Sequence, residues 1–226
     1  MEIKEQIPLA VKLKDGPSFD NYYVGSSADR GILVSALKLS FDQGGQFLTY
    51  LWGGQSSGKS HLLCAVERFA LDHDLRVMTL TDPDQLEAIS EAVDQGLDAL
   101  IIDDVERFLG KPELEGQLFA LYNQMRDLGK RWYVSASCAP RDLEATLPDL
   151  LSRLAWGGIY KLPRLVDEEL LEALRLRSNA RGLTMSDEVG RYILYRGPRD
   201  AKAMFDALDS LDTASLAHQR KLSIPF

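Results

Sequence analysis

Residues 53–60 read Gly53-Gly54-Gln55-Ser56-Ser57-Gly58-Lys59-Ser60, matching G-x-x-x-x-G-K-[ST] at every constrained position. No other stretch restricts the fold as much, because this loop works only between a strand and a helix. Both flanks fit. Residues 46–52 are a mostly apolar run of strand formers, and Leu62, Leu63, Val66, Phe69 and Ala70 then recur at helical spacing. In such a loop, glycines let backbone N–H groups turn inward around phosphates, Lys59 reaches the terminal phosphates, and the Ser60 hydroxyl is placed to ligate Mg²⁺. The chain is expected to bind a nucleoside polyphosphate through Gly53, Gly54, Gln55, Ser56, Ser57, Gly58, Lys59 and Ser60, with the adjoining His61 in the same set.

From residue 47 to 162 apolar strand candidates alternate with amphipathic helices, the pattern of a mostly parallel sheet covered on both faces. Strands are expected over 47–52, 75–81, 98–103, 131–137 and 158–162. Helices are expected over 60–73, 84–95, 113–129 and 141–155, the last broken around Pro148. Beyond Pro163 only helical periodicity remains, near 167–181, 186–196, 199–210 and 212–219. Asp167 and Ser186 are N-cap candidates, and Gly182 and Gly197 are stops. Met204, Phe205, Leu208 and Leu211 form an apolar helical face. The division expected is an extended arm over 1–16, an α/β core over 17–163 and a helical lid over 164–226.

Asp98-Ala99-Leu100-Ile101-Ile102-Asp103-Asp104 is an apolar strand ending in two acids, about 45 residues after the phosphate loop. A buried strand holds its end rigidly, so Asp103 can hold Mg²⁺ while Asp104 orients an attacking water.

The 226 residues are 45% hydrophobic, enough for a core, and 34 acidic against 26 basic residues leave a net charge of −8. That balance argues against a protein whose main task is coating nucleic acid through phosphate contacts and leaves a local basic patch open. Cys64 and Cys138 form no C-x-x-C pair and are expected as reduced core residues. His61, His73 and His218 lack metal-site spacing. The charged start, Met1-Glu2-Ile3-Lys4-Glu5-Gln6, is no signal peptide, and no apolar run reaches membrane-spanning length, so a cytoplasmic protein is expected.

These elements resemble the AAA+ ATPase family, an α/β core with a helical lid. The resemblance implies a five-stranded parallel sheet in the order 5-1-4-3-2. It also implies a polar sensor 1 residue on the fourth strand, where Arg131-Trp132-Tyr133-Val134-Ser135-Ala136-Ser137 offers Ser135 or Ser137. Within AAA+, Phe19-Asp20-Asn21-Tyr22-Tyr23-Val24-Gly25 resembles the segment that lines the base in the bacterial replication initiator DnaA, implying nucleotide contacts for Tyr22, Tyr23 and Val24. Ser152-Arg153-Leu154-Ala155-Trp156-Gly157 looks like the DnaA arginine-finger element, with Arg153 acting on a neighbour's nucleotide. Arg199-Asp200 resembles sensor 2. The resemblance covers residues 17–219. The initiator continues into a helix-turn-helix DNA reader, and the last residue here is Phe226, so the resemblance implies no direct sequence-specific DNA binding. Such a module resembles the DnaA-related AAA+ proteins of regulatory inactivation of DnaA.

Gln6-Ile7-Pro8-Leu9-Ala10 is similar to the bacterial sliding-clamp-binding peptide. Pro8 biases Ile7 toward extended backbone, lowering the ordering cost of docking, and Gln6 offers a donor and an acceptor. Ile7 stands where Leu is more usual, and no aromatic follows Leu9.

Together the resemblances imply a negative regulator of replication initiation. Its partners would be the ATP form of DnaA and the DNA polymerase sliding clamp, with self-association left open. It would hold ADP or ATP with Mg²⁺ on Lys59, Ser60, Asp103 and Arg199, and would activate hydrolysis in trans rather than serve as an efficient ATPase. The rival readings are a self-contained motor resembling a helicase loader, and a nucleotide-gated tethering scaffold.

Overall fold

The computed structural model describes residues 16–42, 44–181, 183, 185–196, 203–208 and 210. The arm residues Gln6, Ile7, Pro8 and Leu9, the stops Gly182 and Gly197, Arg199, Leu211, His218 and the helix expected over 212–219 lie outside the described residues.

Five strands, β1 (Leu48–Trp52), β2 (Val77–Leu80), β3 (Ala99–Ile102), β4 (Arg131–Ala136) and β5 (Gly158–Lys161), form one sheet in the order β2-β3-β4-β1-β5. All four pairings are parallel, and the order expected from the AAA+ resemblance is observed. The interior strands β1 and β3 read as nearly unbroken apolar runs because both faces are covered. Alternation along the strands divides the core in two. Leu48, Tyr50, Leu100 and Ile102 pack under α3 (Leu86–Asp94), α4 (Pro112–Asp127) and α5 (Pro148–Leu154), while Leu51, Ala99, Ile101 and Tyr133 pack under α1 (Ala28–Leu39) and α2 (Lys59–Asp72). Trp132, Tyr50, Tyr122 and Phe108 are fully buried. Each contributes about 1.5–3 kcal/mol relative to exposure.

Helix α1 has no counterpart among the expected elements. Ser27 caps it, its side chain accepting from the Arg30 N–H. At its other end the Ser40 and Tyr133 hydroxyls lie 2.5 Å apart and the Arg131 guanidinium donates to the Ser40 carbonyl at 2.7 Å, tying the helix to β4.

The helix expected over 141–155 is corrected. Residues Pro140–Asp142 make a single 3₁₀ turn, and α-helix begins only at Pro148. Leu147 precedes proline and is extended, as pre-proline sterics favour. The intervening backbone is claimed by Glu115 of α4, a fully buried carboxylate. It accepts from the N–H groups of Gly110 (2.6 Å), Thr146 (3.1 Å) and Leu147 (2.6 Å) and from the Thr146 hydroxyl (2.6 Å). Burial pushes this carboxyl up, but the hydrogen bonds prevail and hold it below the usual glutamate range.

Two further expectations are corrected. Val166, not Asp167, is the N-cap of α6 (Asp167–Ala180); Asp167 is its first helical residue, where its charge still favours the helix N-terminus. Cys64 is exposed rather than in the core, because α2 buries Leu62, Leu63, Ala65 and Val66 and turns Cys64 outward; Cys138 is half-buried.

The chain divides into two compact units, one spanning Pro17–Arg164 and the other containing the residues from Leu165 onward. In the second, α6 and α7 (Asp187–Arg196) join helical residues 203–208 around Leu170, Leu174, Met185, Val189, Ile193, Met204 and Leu208. The Val189 N–H donates to the Ser186 hydroxyl, as expected of a cap. Among the described residues no helix is long and apolar enough to cross a membrane.

Candidate nucleotide-binding site

The loop Gly53–Gly58 leaves the C-terminal end of the interior strand β1 and enters α2 through Gly58, whose φ of 95° lies in the left-handed region. Gly53 is pinned to β4, its N–H donating to the Ala136 carbonyl at 3.2 Å. A Cβ there would meet the Leu162 carbonyl oxygen at 2.3 Å, so only glycine passes between β1 and the end of β5. The Lys59 ammonium, nearly buried, donates to the Gly53 carbonyl at 2.9 Å and the Gly54 carbonyl at 3.4 Å. No side chain caps the N-terminus of α2. Its first-turn N–H groups and the lysine form a cradle suited to an anionic phosphate chain. Ser57 is buried with an unpartnered hydroxyl in this loop, whereas Ser60, Gln55 and Gly54 are exposed.

The acidic half of the site forms at the ends of β3 and β4. Their register sets Ile102 beside Val134, so Asp103 and Ser135 follow side by side. Ser135 is fully buried. Its hydroxyl donates to Asp103 Oδ1 at 2.5 Å and accepts from the Asp104 N–H at 2.8 Å. Ser137 is exposed and uses its backbone N–H on the Glu106 carboxylate. Of the two serines, the structure brings Ser135 to the acids. Asp104 turns the chain sharply at φ 56°, ψ 69°, a left-handed conformation that Asp tolerates better than most residues. Desolvation, then the Asp103 charge, raises its pKa. Hard oxygen donors from Ser60 and Asp103 suit Mg²⁺.

The segment ahead of α1 packs against the loop. The Tyr22 ring is buried 3.2 Å from the Cβ position of Gly58 and against His61, with ring centroids 5.4 Å apart. A His61 ring nitrogen lies 3.0 Å from the Ser18 carbonyl, so His61 ties this segment to α2. Tyr23 folds its ring back on Gly25, and Val24 is half-buried beside α1.

Arg153 lies in the last turn of α5. Its guanidinium carbon is 4.4 Å from the Trp156 ring centroid and 5.9 Å from that of Phe119 on α4. Among the described residues it has no carboxylate partner. The Arg-x-x-Trp spacing was visible in the sequence. Phe119 and Glu115 carried no signal, because both reach their partners from α4.

A P-loop between β1 and α2, two acids at the end of β3 and the order β2-β3-β4-β1-β5 define an AAA+ type P-loop ATPase fold. Residues 13–161 match the bacterial DnaA ATPase domain and residues 167–226 match the lid domain of Hda. The chain belongs to the bacterial DnaA ATPase-domain family and carries an Hda-type lid. Its fold is similar to that of domain III of the replication initiation protein DnaA from Thermotoga maritima, at TM-score 0.75 and 22% identity over 92% of each chain. DnaA from Aquifex aeolicus bound to AMPPCP matches at TM-score 0.70 and 20% identity over 86% of this chain, which spans 64% of that longer protein. The RuvB Holliday junction branch migration motor of Thermotoga maritima matches at TM-score 0.61 and 17% identity, over 92% of this chain and 68% of that one.

Proposed function

We propose that this protein is a nucleotide-bound negative regulator of replication initiation, docking on the sliding clamp through Gln6 to Leu9 and supplying Arg153 in trans to ATP held by the initiator. Family membership and the Hda-type lid support this reading. The observation that carries it is Arg153, a cation held by aromatic faces with no acid to neutralise it among the described residues. A fixed positive charge of that kind stabilises charge developing on a transferring phosphoryl group.

The chain's own ADP or ATP would rest on the first-turn N–H groups of α2 and Lys59, and the AMPPCP-bound state of the Aquifex aeolicus relative supports an adenine nucleotide. Tyr22, Tyr23 and Val24 would border the base, and Arg199 is proposed as sensor 2. Mg²⁺ would be held by Ser60 and Asp103, and it supplies charge neutralisation at the phosphates. Ser135 orients the Asp103 carboxylate and is our choice for sensor 1. In this reading the bound nucleotide sets conformation and self-association, and the hydrolysis accelerated is the partner's.

The test is single-turnover hydrolysis of ATP pre-bound to the initiator, with DNA-loaded clamp, with and without this protein. Clamp-dependent stimulation that disappears in Arg153→Ala, with nucleotide and clamp binding retained, is expected. A self-contained motor is the second reading, favoured by the ordered Ser135, Asp103 and Asp104 set. It requires steady turnover by the isolated protein that Asp104→Asn abolishes.

A further inference from the structure

We infer that Trp156 is a positioning residue for Arg153, holding the guanidinium at a fixed orientation without consuming its charge or its donors. The inference rests on the arginine-finger reading and extends it to a residue with no assigned role.

Three observations carry it. First, the Trp156 side of the clamp is the tight one, 4.4 Å from ring centroid to guanidinium carbon against 5.9 Å for Phe119. Stacking on a ring engages the face of the guanidinium, so its five in-plane N–H donors stay available for phosphate oxygens. A carboxylate partner would occupy those donors and cancel the charge.

Second, the position of Trp156 is built by the backbone. Its N–H donates to the Arg153 carbonyl at 3.1 Å, which closes the end of α5. The next residue, Gly157, passes so close to β1 that a Cβ would stand 2.2 Å from the Leu48 carbonyl oxygen. The turn is thereby pressed against β1, an interior strand of the sheet.

Third, Trp156 stays 67% exposed, although an indole of that size is normally buried. Core packing does not account for its place. One face serves Arg153 and the rest lies open on the surface that carries the arginine.

The experiment compares wild type, Trp156→Ala, Trp156→Phe and Arg153→Ala in the single-turnover assay with initiator-bound ATP and DNA-loaded clamp, titrating each to saturation. Trp156→Ala is expected to lower the maximal rate roughly tenfold, since small misplacements of a catalytic group cost that much or more. Its half-saturating concentration should stay within about threefold, and Trp156→Phe should recover most of the rate. Far-UV circular dichroism of each variant checks folding. A second readout needs no partner: in a Trp52→Phe, Trp132→Phe background, Arg153→Ala should change the emission and acrylamide quenching of the remaining indole. An unchanged maximal rate in Trp156→Ala, or a change confined to half-saturation, overturns the positioning role while leaving Arg153 as the finger. Indole emission indifferent to Arg153 does the same. Normal stimulation by Arg153→Ala, or none by wild type, overturns the finger reading itself.

Discussion

The Ser135 hydroxyl donates to the Asp103 carboxylate at 2.5 Å across the β3–β4 pair and accepts the Asp104 N–H at 2.8 Å. One buried side chain thus sets both acids at the strand end. Ser135→Ala removes both bonds, one of them to a charged carboxylate, a loss of about 1–3 kcal/mol. Thermal unfolding should show that destabilisation, and nucleotide titrations should show a weaker Mg²⁺ enhancement of affinity. Ser137→Ala should match wild type in both. A larger effect at Ser137 would reverse the assignment.

Lys59 lies over the loop carbonyls of Gly53 and Gly54. Lys59→Ala should weaken ATP and ADP binding by roughly ten- to a hundredfold, the scale of a hydrogen bond to a charged group. Isothermal titration would measure it; wild-type affinity in the variant would remove phosphate binding from this loop.

Glu115 accepts four hydrogen bonds, three joining α4 to Thr146 and Leu147 of the loop ahead of α5 and one from Gly110 ahead of its own helix, and they hold its carboxyl below the usual range. Its stabilisation is therefore fully present above the unfolded value of about 4.3 and is lost as pH falls through the lower folded value. Glu115→Gln should lower stability at pH 7 by about 2–4 kcal/mol. Below about pH 4 the variant should lose less further stability than wild type. Parallel pH dependences for the two proteins would show that this carboxylate does not contribute to acid lability.

Removing residues 1–12 should abolish clamp binding in a pull-down and clamp-dependent stimulation in the hydrolysis assay. The α/β unit, which begins at Pro17, should unfold at an unchanged temperature. Retained clamp binding would place the docking peptide elsewhere.

Much of the nucleotide site was legible because its parts are contiguous. The phosphate loop, β1 before it and α2 after it declare themselves within 30 residues, and Asp103 and Asp104 end a strand too apolar to be anything but buried. Helix α1 was not read, because its contribution depends on Tyr133 and Arg131 of a distant strand. Arg153 was singled out by its resemblance to the DnaA arginine-finger element, while Phe119 came to it only through the packing of α4 beside α5.

By itself the sequence determined the order of elements, the loop and the candidate acids, since these follow from local periodicity and from residue types whose chemistry needs near neighbours. It could not choose between Ser135 and Ser137, which share one face of a period-two strand. That choice came from the register of β3 against β4, which sets Ser135 beside Asp103 and carries Ser137 past the strand end. The same holds for the Glu115 staple, the outward face of Cys64 and the rings around Arg153. Each depends on which residues meet across elements, and only the packed sheet and its helices decide that.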